Sequence, residues 1–286
     1  MMRCTVFDGI FPEGLVQRIS RCRESKFYLI RCKTMFFDTS FVGIDASGGR
    51  KPFTYAALDA LGRLTALAEG ELDDVLSFLA AHEKMLVAVN APPRPSHGLV
   101  RDNHPTLTPI RKAGRAAEMR LAEYELRQRG INVSATPSKR EMSSGWVQVG
   151  FELYRRMESL GFYPDSAPEA KRRWIETHPQ ACFAALAGQM PLPSSTLEGR
   201  LQRQLLLYEQ GLAIRDPMDF FEELTRHKLL KGALPLEMLY TAEALDALSA
   251  AYVAFLHEKR PAEIIRVGDP DEGQIILPVK ELKNKY

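Results

Sequence analysis

Residues Met85-Leu-Val-Ala-Val89 are apolar without a break, and the run stops at Asn90-Ala-Pro-Pro93. A strand with no polar side has no face to offer water, so elements must cover it above and below. Proline, lacking a backbone donor, then ends the ladder. A run of this kind commits the chain to an α/β sheet with helices on both faces. Residues 41–44 form a second buried strand, closed by Asp45 and a turn through Ser47-Gly-Gly49. Strands over 53–58 and 64–68 flank Leu61-Gly62-Arg63, which makes an antiparallel meander. A helix is expected over 71–83, with Leu72, Val75, Leu76 and Leu79 on one stripe. Three hairpin-connected strands, a helix and a parallel central strand follow in that order.

Further along, residues 92–109 read as an irregular loop rich in proline and histidine. Helices are expected over 111–129, 146–160, 181–186, 197–208, 220–230 and 241–258, and strands over 131–137 and 174–179. A hairpin pairs 263–267 with 274–277 around the turn from Gly268 to Gly273. Residues 1–37 are unlike the rest: three of the four cysteines lie there, with no sustained period. They are either a small extension packed on the domain or precede a natural start at Met35, which leaves one domain over 38–286.

Composition narrows the function classes. A net charge of +2 does not by itself mark a nucleic-acid binder. The cysteines (Cys4, Cys22, Cys32, Cys182) match neither a disulfide framework nor a zinc pattern and fit a reducing compartment. No segment reads as a bilayer span or a signal-peptide core, so a cytoplasmic protein without a membrane partner is expected. Oligomeric state stays open.

Four acids carry the chemistry. Asp45 stands at the carboxyl end of a central strand, the edge where ligands bind in open α/β sheets; the competing reading is a turn aspartate bonded to its own backbone. Glu243 and Asp246 are three apart in the first turns of a helix and share a face. Asp246 lies between Leu245 and Ala247, where a carboxylate is costly unless paired or metal-bound. Glu243 also has a structural role open to it, complementing the helix dipole. Glu176 ends a strand just before Thr177-His178-Pro179 and is either a further ligand or an edge-strand carboxylate in solvent. Oxygen ligands held on rigid elements suit Mg²⁺ or Mn²⁺ and a two-metal phosphodiester site. Arg101, Arg111, Arg115 and Arg120 fall near the loop after the central strand, where guanidinium forks suit phosphate oxygens. Glu118, Glu123 and Glu125 interleave with them, as on an ordinary solvated face. Lys139 and Arg140 form a second, weaker cluster.

These motifs, in this order, resemble domain-of-unknown-function family 429. The stretches that carry the resemblance are Gly-Ile-Asp45, Val-Ala-Val-Asn90-Ala-Pro, Arg115-Ala-Ala-Glu118, Arg127-Gln-Arg-Gly-Ile131 and Thr136-Pro. Ile-Glu176-Thr-His-Pro179, Gly199-Arg-Leu-Gln-Arg203, Leu245-Asp-Ala-Leu-Ser-Ala-Ala251 and Glu272-Gly-Gln-Ile-Ile-Leu-Pro278 continue it to the end. The resemblance implies a ribonuclease H-like fold, a mixed five-stranded sheet with flanking helices and a helical elaboration, and a predicted nuclease activity. The helix around Asp246 is also similar to the last catalytic helix of Holliday-junction resolvases, which equates Asp45 with the first-strand acid and Asp246 with the helix acid. One position departs: many members carry aspartate where this chain has Asn90. An asparagine carbonyl can ligate a metal but brings no charge.

The expectation is therefore a Mg²⁺- or Mn²⁺-dependent nuclease acting on DNA or RNA. Asp45, Glu176 and Asp246 would be catalytic and metal-binding, with Asn90 and Glu243 assisting at the metal and the basic residues binding phosphate. Two classes compete. A catalytically inactive nucleic-acid-binding module would explain Asn90 and the modest charge. An actin-like small-molecule kinase shares the Gly-Ile-Asp strand but needs phosphate and adenosine loops that are not visible after Val89 or near Glu176.

Overall fold

The computed structural model describes residues 40–46, 52–100, 119–167 and 169–286. The expected extension at 1–37 and the turn at Ser47–Gly49 lie outside the described residues. Eight strands form one mixed sheet: β1 (Ser40–Asp45), β2 (Phe53–Leu58), β3 (Leu64–Gly70), β4 (Met85–Asn90), β5 (Tyr163–Pro164), β6 (Arg172–Thr177), β7 (Ile265–Val267) and β8 (Ile275–Leu277). Their order is β3-β2-β1-β4-β6-β8-β7, with β5 paired to β6. β1, β2 and β3 are antiparallel neighbours, whereas β1, β4, β6 and β8 run parallel. The sheet is thus wider than five strands. The C-terminal hairpin continues it past β6, where Thr177 Oγ1 donates to the Ile276 carbonyl at 2.8 Å, so that edge of β6 is not left unpaired.

Seven helices are described: α1 (Leu72–Ala80), α2 (Leu121–Gln128), α3 (Gly145–Ser159), α4 (Pro179–Ala187), α5 (Leu197–Glu209), α6 (Asp219–Leu230) and α7 (Ala242–Lys259). They divide the core between the two faces of the sheet. Phe41, Leu86, Ala88 and Ile175 pack with α2, α4 and α7. Val42, Ile44, Val87, Val89 and Trp174 pack with α1 and α3. Alternation along each strand produces this division directly.

Two expectations need correction. Residues 131–137 make no strand, although Ile131 and Val133 are buried. The groups a ladder would use are already held by side chains. Arg127 donates to the Val133 carbonyl from Nε at 2.9 Å and Nη2 at 2.6 Å, and Glu123 accepts from Thr136 N at 2.7 Å. The second correction concerns Leu236–Lys259, 24 residues containing an 18-residue window of mean hydropathy 1.2, which by length and composition alone is long enough to cross a bilayer. Its apolar residues pack into the core instead, since 72% of that window is buried inside the protein.

α7 lies directly on β1. A Cβ built on Gly43 would stand 2.1 Å from the Ala247 carbonyl oxygen and 2.2 Å from Ala251 N. Only glycine on the strand, opposite small residues on the helix, permits that approach. The contact brings the amino-terminal turns of α7 to the carboxyl end of β1.

Candidate functional site

Asp45 is two residues beyond Gly43 on β1, so both face α7. It is buried and pairs in register with Asn90 on β4. Asn90 Nδ2 donates to Asp45 Oδ1 at 2.6 Å, which fixes the carboxylate from the neighbouring strand. Leu86 and Ala88 belong to the α7-facing core, and Asn90 follows them on that face.

Asp246 enters from α7, one residue before the Ala247 that touches Gly43. Thr241 caps the helix by accepting from Ala244 N at 3.1 Å, which sets the first turn and with it Glu243 and Asp246. The Asp246 side chain is 25% exposed as a whole, yet its Oδ1 is buried and has no hydrogen-bond partner. Burial first, then the nearby charge of Asp45, pushes the Asp246 carboxyl up to about 8; Arg203 opposes the shift and Glu243 adds to it. Asp45 and Asp246 are therefore close enough to repel.

Glu176 is not brought to them. It follows Trp174 on the alternation of β6 and pairs in register with Val89, which places it on the opposite face of the sheet. There Arg120 grips both its oxygens, Nη1 to Oε2 at 2.7 Å and Nη2 to Oε1. Arg120 Nε continues to Glu123 Oε1 at 3.0 Å, and Glu123 accepts from Thr136 Oγ1 at 2.5 Å. Burial pushes the Glu176 carboxyl up while Arg120 pulls it down, and the two glutamates hold the guanidinium firmly charged. Arg120 is 1% exposed, so a phosphate arriving from solvent does not reach it. His178 caps α4, its Nδ1 accepting from Ala181 N at 3.3 Å, and burial pulls its pKa down to about 4, so it is neutral.

Lys139 and Arg140 are exposed beside a single 3₁₀ turn at Arg140–Met142, with Arg140 lying 5.8 Å from the Phe151 ring centroid. Arg101, Arg111 and Arg115 lie outside the described residues. Sequence reasoning missed Glu123 as a buried residue, because its place among arginines suggested a solvated face. It also missed Glu272, wholly buried, which accepts from Ser96 Oγ at 2.9 Å, His97 N at 2.7 Å and Leu121 N at 2.6 Å. The only sign of Glu272 was the family motif in which it stands.

Asp45 and Asp246 are the acids that the packing of α7 on β1 brings together, and they are the residues that would hold a cation. Two carboxylates from separate rigid elements converge, and one buried oxygen is left open. No group of three His, Cys, Asp or Glu side chains that could hold a metal occurs among the described residues. Such a pair suits an ion that keeps much of its water and takes one or two carboxylates, as Mg²⁺ does.

A family profile described as "Protein of unknown function (DUF429)" matches residues 43–271. No curated protein matches the chain.

Proposed function

This chain belongs to DUF429, and we propose that it is a divalent-cation-dependent hydrolase of phosphodiester bonds in DNA or RNA, built on a ribonuclease H-like sheet. The strand order β3-β2-β1-β4-β6, antiparallel and then parallel, supports the fold reading. The observation that carries the activity is the convergence of Asp45 and Asp246 at the carboxyl end of the central strands, with a buried Asp246 oxygen that accepts no hydrogen bond. Asp45 and Asp246 would hold Mg²⁺ or Mn²⁺, which supplies an activated water and charge stabilisation at the leaving oxygen. Asn90 keeps Asp45 oriented through its Nδ2 bond. Glu243, one turn before Asp246, adds negative charge to the site. Glu176 supports the far side of the sheet edge and takes no part at the cation. Lys139 and Arg140, exposed, together with Arg101, Arg111 and Arg115, would bind backbone phosphates. A cytoplasmic setting belongs to the same reading; Cys182 is a buried free thiol whose pKa is pushed up to about 11 by burial.

A second reading, a nucleic-acid-binding module without catalysis, is favoured by one observation: Asn90 commits its amide to Asp45 and adds no charge. One experiment separates them. The wild type, Asp45→Asn and Asn90→Asp are assayed on single-stranded, duplex and branched DNA and on RNA, with each cation, beside Mn²⁺ titration by calorimetry. Cleavage lost in Asp45→Asn, with Mn²⁺ bound more tightly by Asn90→Asp, is the expected result. Binding without cleavage by the wild type selects the second reading, and neither binding nor cleavage rejects nucleic acid as the partner.

A further inference from the structure

Arg203 is carried by α5 and is 1% exposed. Its Nη2 donates to Gln180 Oε1 at 2.8 Å, and the guanidinium lies 4.7 Å from the Phe183 ring centroid. Both contacts come from α4 and hold the head group in place. Nε and Nη1 have no hydrogen-bond partner. Nη1 instead faces Asp246 Oδ1 across 3.9 Å, an oxygen that is also buried and also without a partner. Idle donors on a buried guanidinium are costly, and so is a buried carboxylate oxygen that accepts nothing. The two groups stand within ion-pair reach with no hydrogen bond between them.

The contrast with Glu176 gives that gap a meaning. The same two kinds of charged group meet there, and Arg120 closes both carboxylate oxygens with hydrogen bonds. At Asp246 the guanidinium is present and the hydrogen bond is not. Asp45 and Glu243 repel the Asp246 carboxylate, and Arg203 attracts it.

We propose that Arg203 is a positioning residue for Asp246: it holds the carboxylate in the acid pair by charge, at a separation that leaves Oδ1 open to a ligand. The proposal rests on reading Asp45 and Asp246 as the functional site, and nothing in the family motif around Arg203 assigns that arginine a role. It also explains why an arginine is buried on α5 with only part of its donor capacity used.

A thermodynamic cycle in the cation-free protein tests it without any activity. Melting temperatures are compared at about pH 9, where the Asp246 carboxyl is ionised, for the wild type, Arg203→Met, Asp246→Asn and the double variant. The change caused by Arg203→Met, whatever its sign, is expected to differ by at least about 3 °C between the wild-type and Asp246→Asn backgrounds, because contacting charges couple. Equal changes in both backgrounds mean that Arg203 serves only Phe183, Gln180 and the Leu192 carbonyl, and overturn the proposal. Should Arg203→Met fail to fold, Arg203→Leu and Arg203→Gln take its place in the cycle, and loss of the fold in all three when Asp246→Asn folds normally overturns it as well. In a cleaving wild type, Arg203→Met should lower kcat about tenfold with KM within about twofold, and Arg203→Lys should regain most of the loss. A rise in KM alone would count against positioning. A wild type that neither binds Mn²⁺ nor cleaves removes the proposed function, while the melting cycle still decides the role of Arg203.

Discussion

Asp246 concentrates the electrostatics of this protein. Its folded-state pKa is about 8 against an ordinary 3.8, so the folded chain prefers the neutral acid. A group shifted upward contributes stability that is complete below its unfolded value and is lost as pH rises through the folded one. The cation-free protein should therefore lose stability between about pH 4 and pH 8, by at most about 1.4 kcal/mol per pH unit from this residue. Asp246→Asn should flatten the melting temperature over that window, and a wild type already flat there would refute the shift. Under the proposed function a bound cation would displace the same proton, so Mn²⁺ affinity measured by calorimetry should climb with pH up to about 8 and fall by up to about tenfold per unit below it. Glu176 behaves otherwise. Closed by Arg120, it titrates as one member of a buried network and has no open oxygen for a ligand.

Among the elements, α7 and β1 are the pair on which the site depends. The helix can deliver Asp246 to the end of the strand only because its backbone rests on Gly43. Gly43→Ala would set a methyl inside van der Waals distance of two backbone atoms that cannot swing aside. The expected cost is about 3 kcal/mol, the upper part of the range for overpacking a close contact. Urea denaturation should show a lower midpoint, and calorimetry a weaker Mn²⁺ site, since a displaced α7 carries Asp246 with it. An unchanged midpoint would mean that the helix sits farther from the strand than 2.1 Å from a Gly43 Cβ implies. The lost strand at 131–137 belongs to this scale too. Side chains of Arg127 and Glu123 capture the backbone there before a neighbouring strand can.

Across the whole molecule, Glu272 joins parts far apart in the chain. From the C-terminal hairpin it reaches back 176 residues to Ser96 and 151 to Leu121. Replacing it with alanine would take this acceptor from the Ser96 hydroxyl and from the His97 and Leu121 backbone N–H groups. A loss of about 3 kcal/mol is expected, roughly 6–10 °C in melting temperature for a domain of this size. Glu272→Gln should recover part of it, because the amide oxygen still accepts; equal losses in both variants would mean that shape rather than hydrogen bonding matters there. The hairpin itself widens the sheet from β6 outward, so the C-terminal residues are structural parts of the α/β core.

Local pattern alone determined a good deal of this protein. Periodicity located β1 to β4, the helices α3 to α7 and the terminal hairpin, because each buries a face whose spacing is written in consecutive residues. It also singled out Asp45 and Asp246, charges set where apolar neighbours leave them no easy exit to water. Tertiary structure alone decided the partners. Glu176 and Asp45 stand at the ends of nearby parallel strands, but the pleat turns their side chains to opposite faces, a difference of one residue in register that spacing within a single strand cannot show. Arg120 and Glu123 read as solvent-facing charges until a strand 56 residues away supplied the acid that buries them. Arg203 stood in a recognisable motif, yet its relation to Asp246 exists only because α5 and α7 pack side by side.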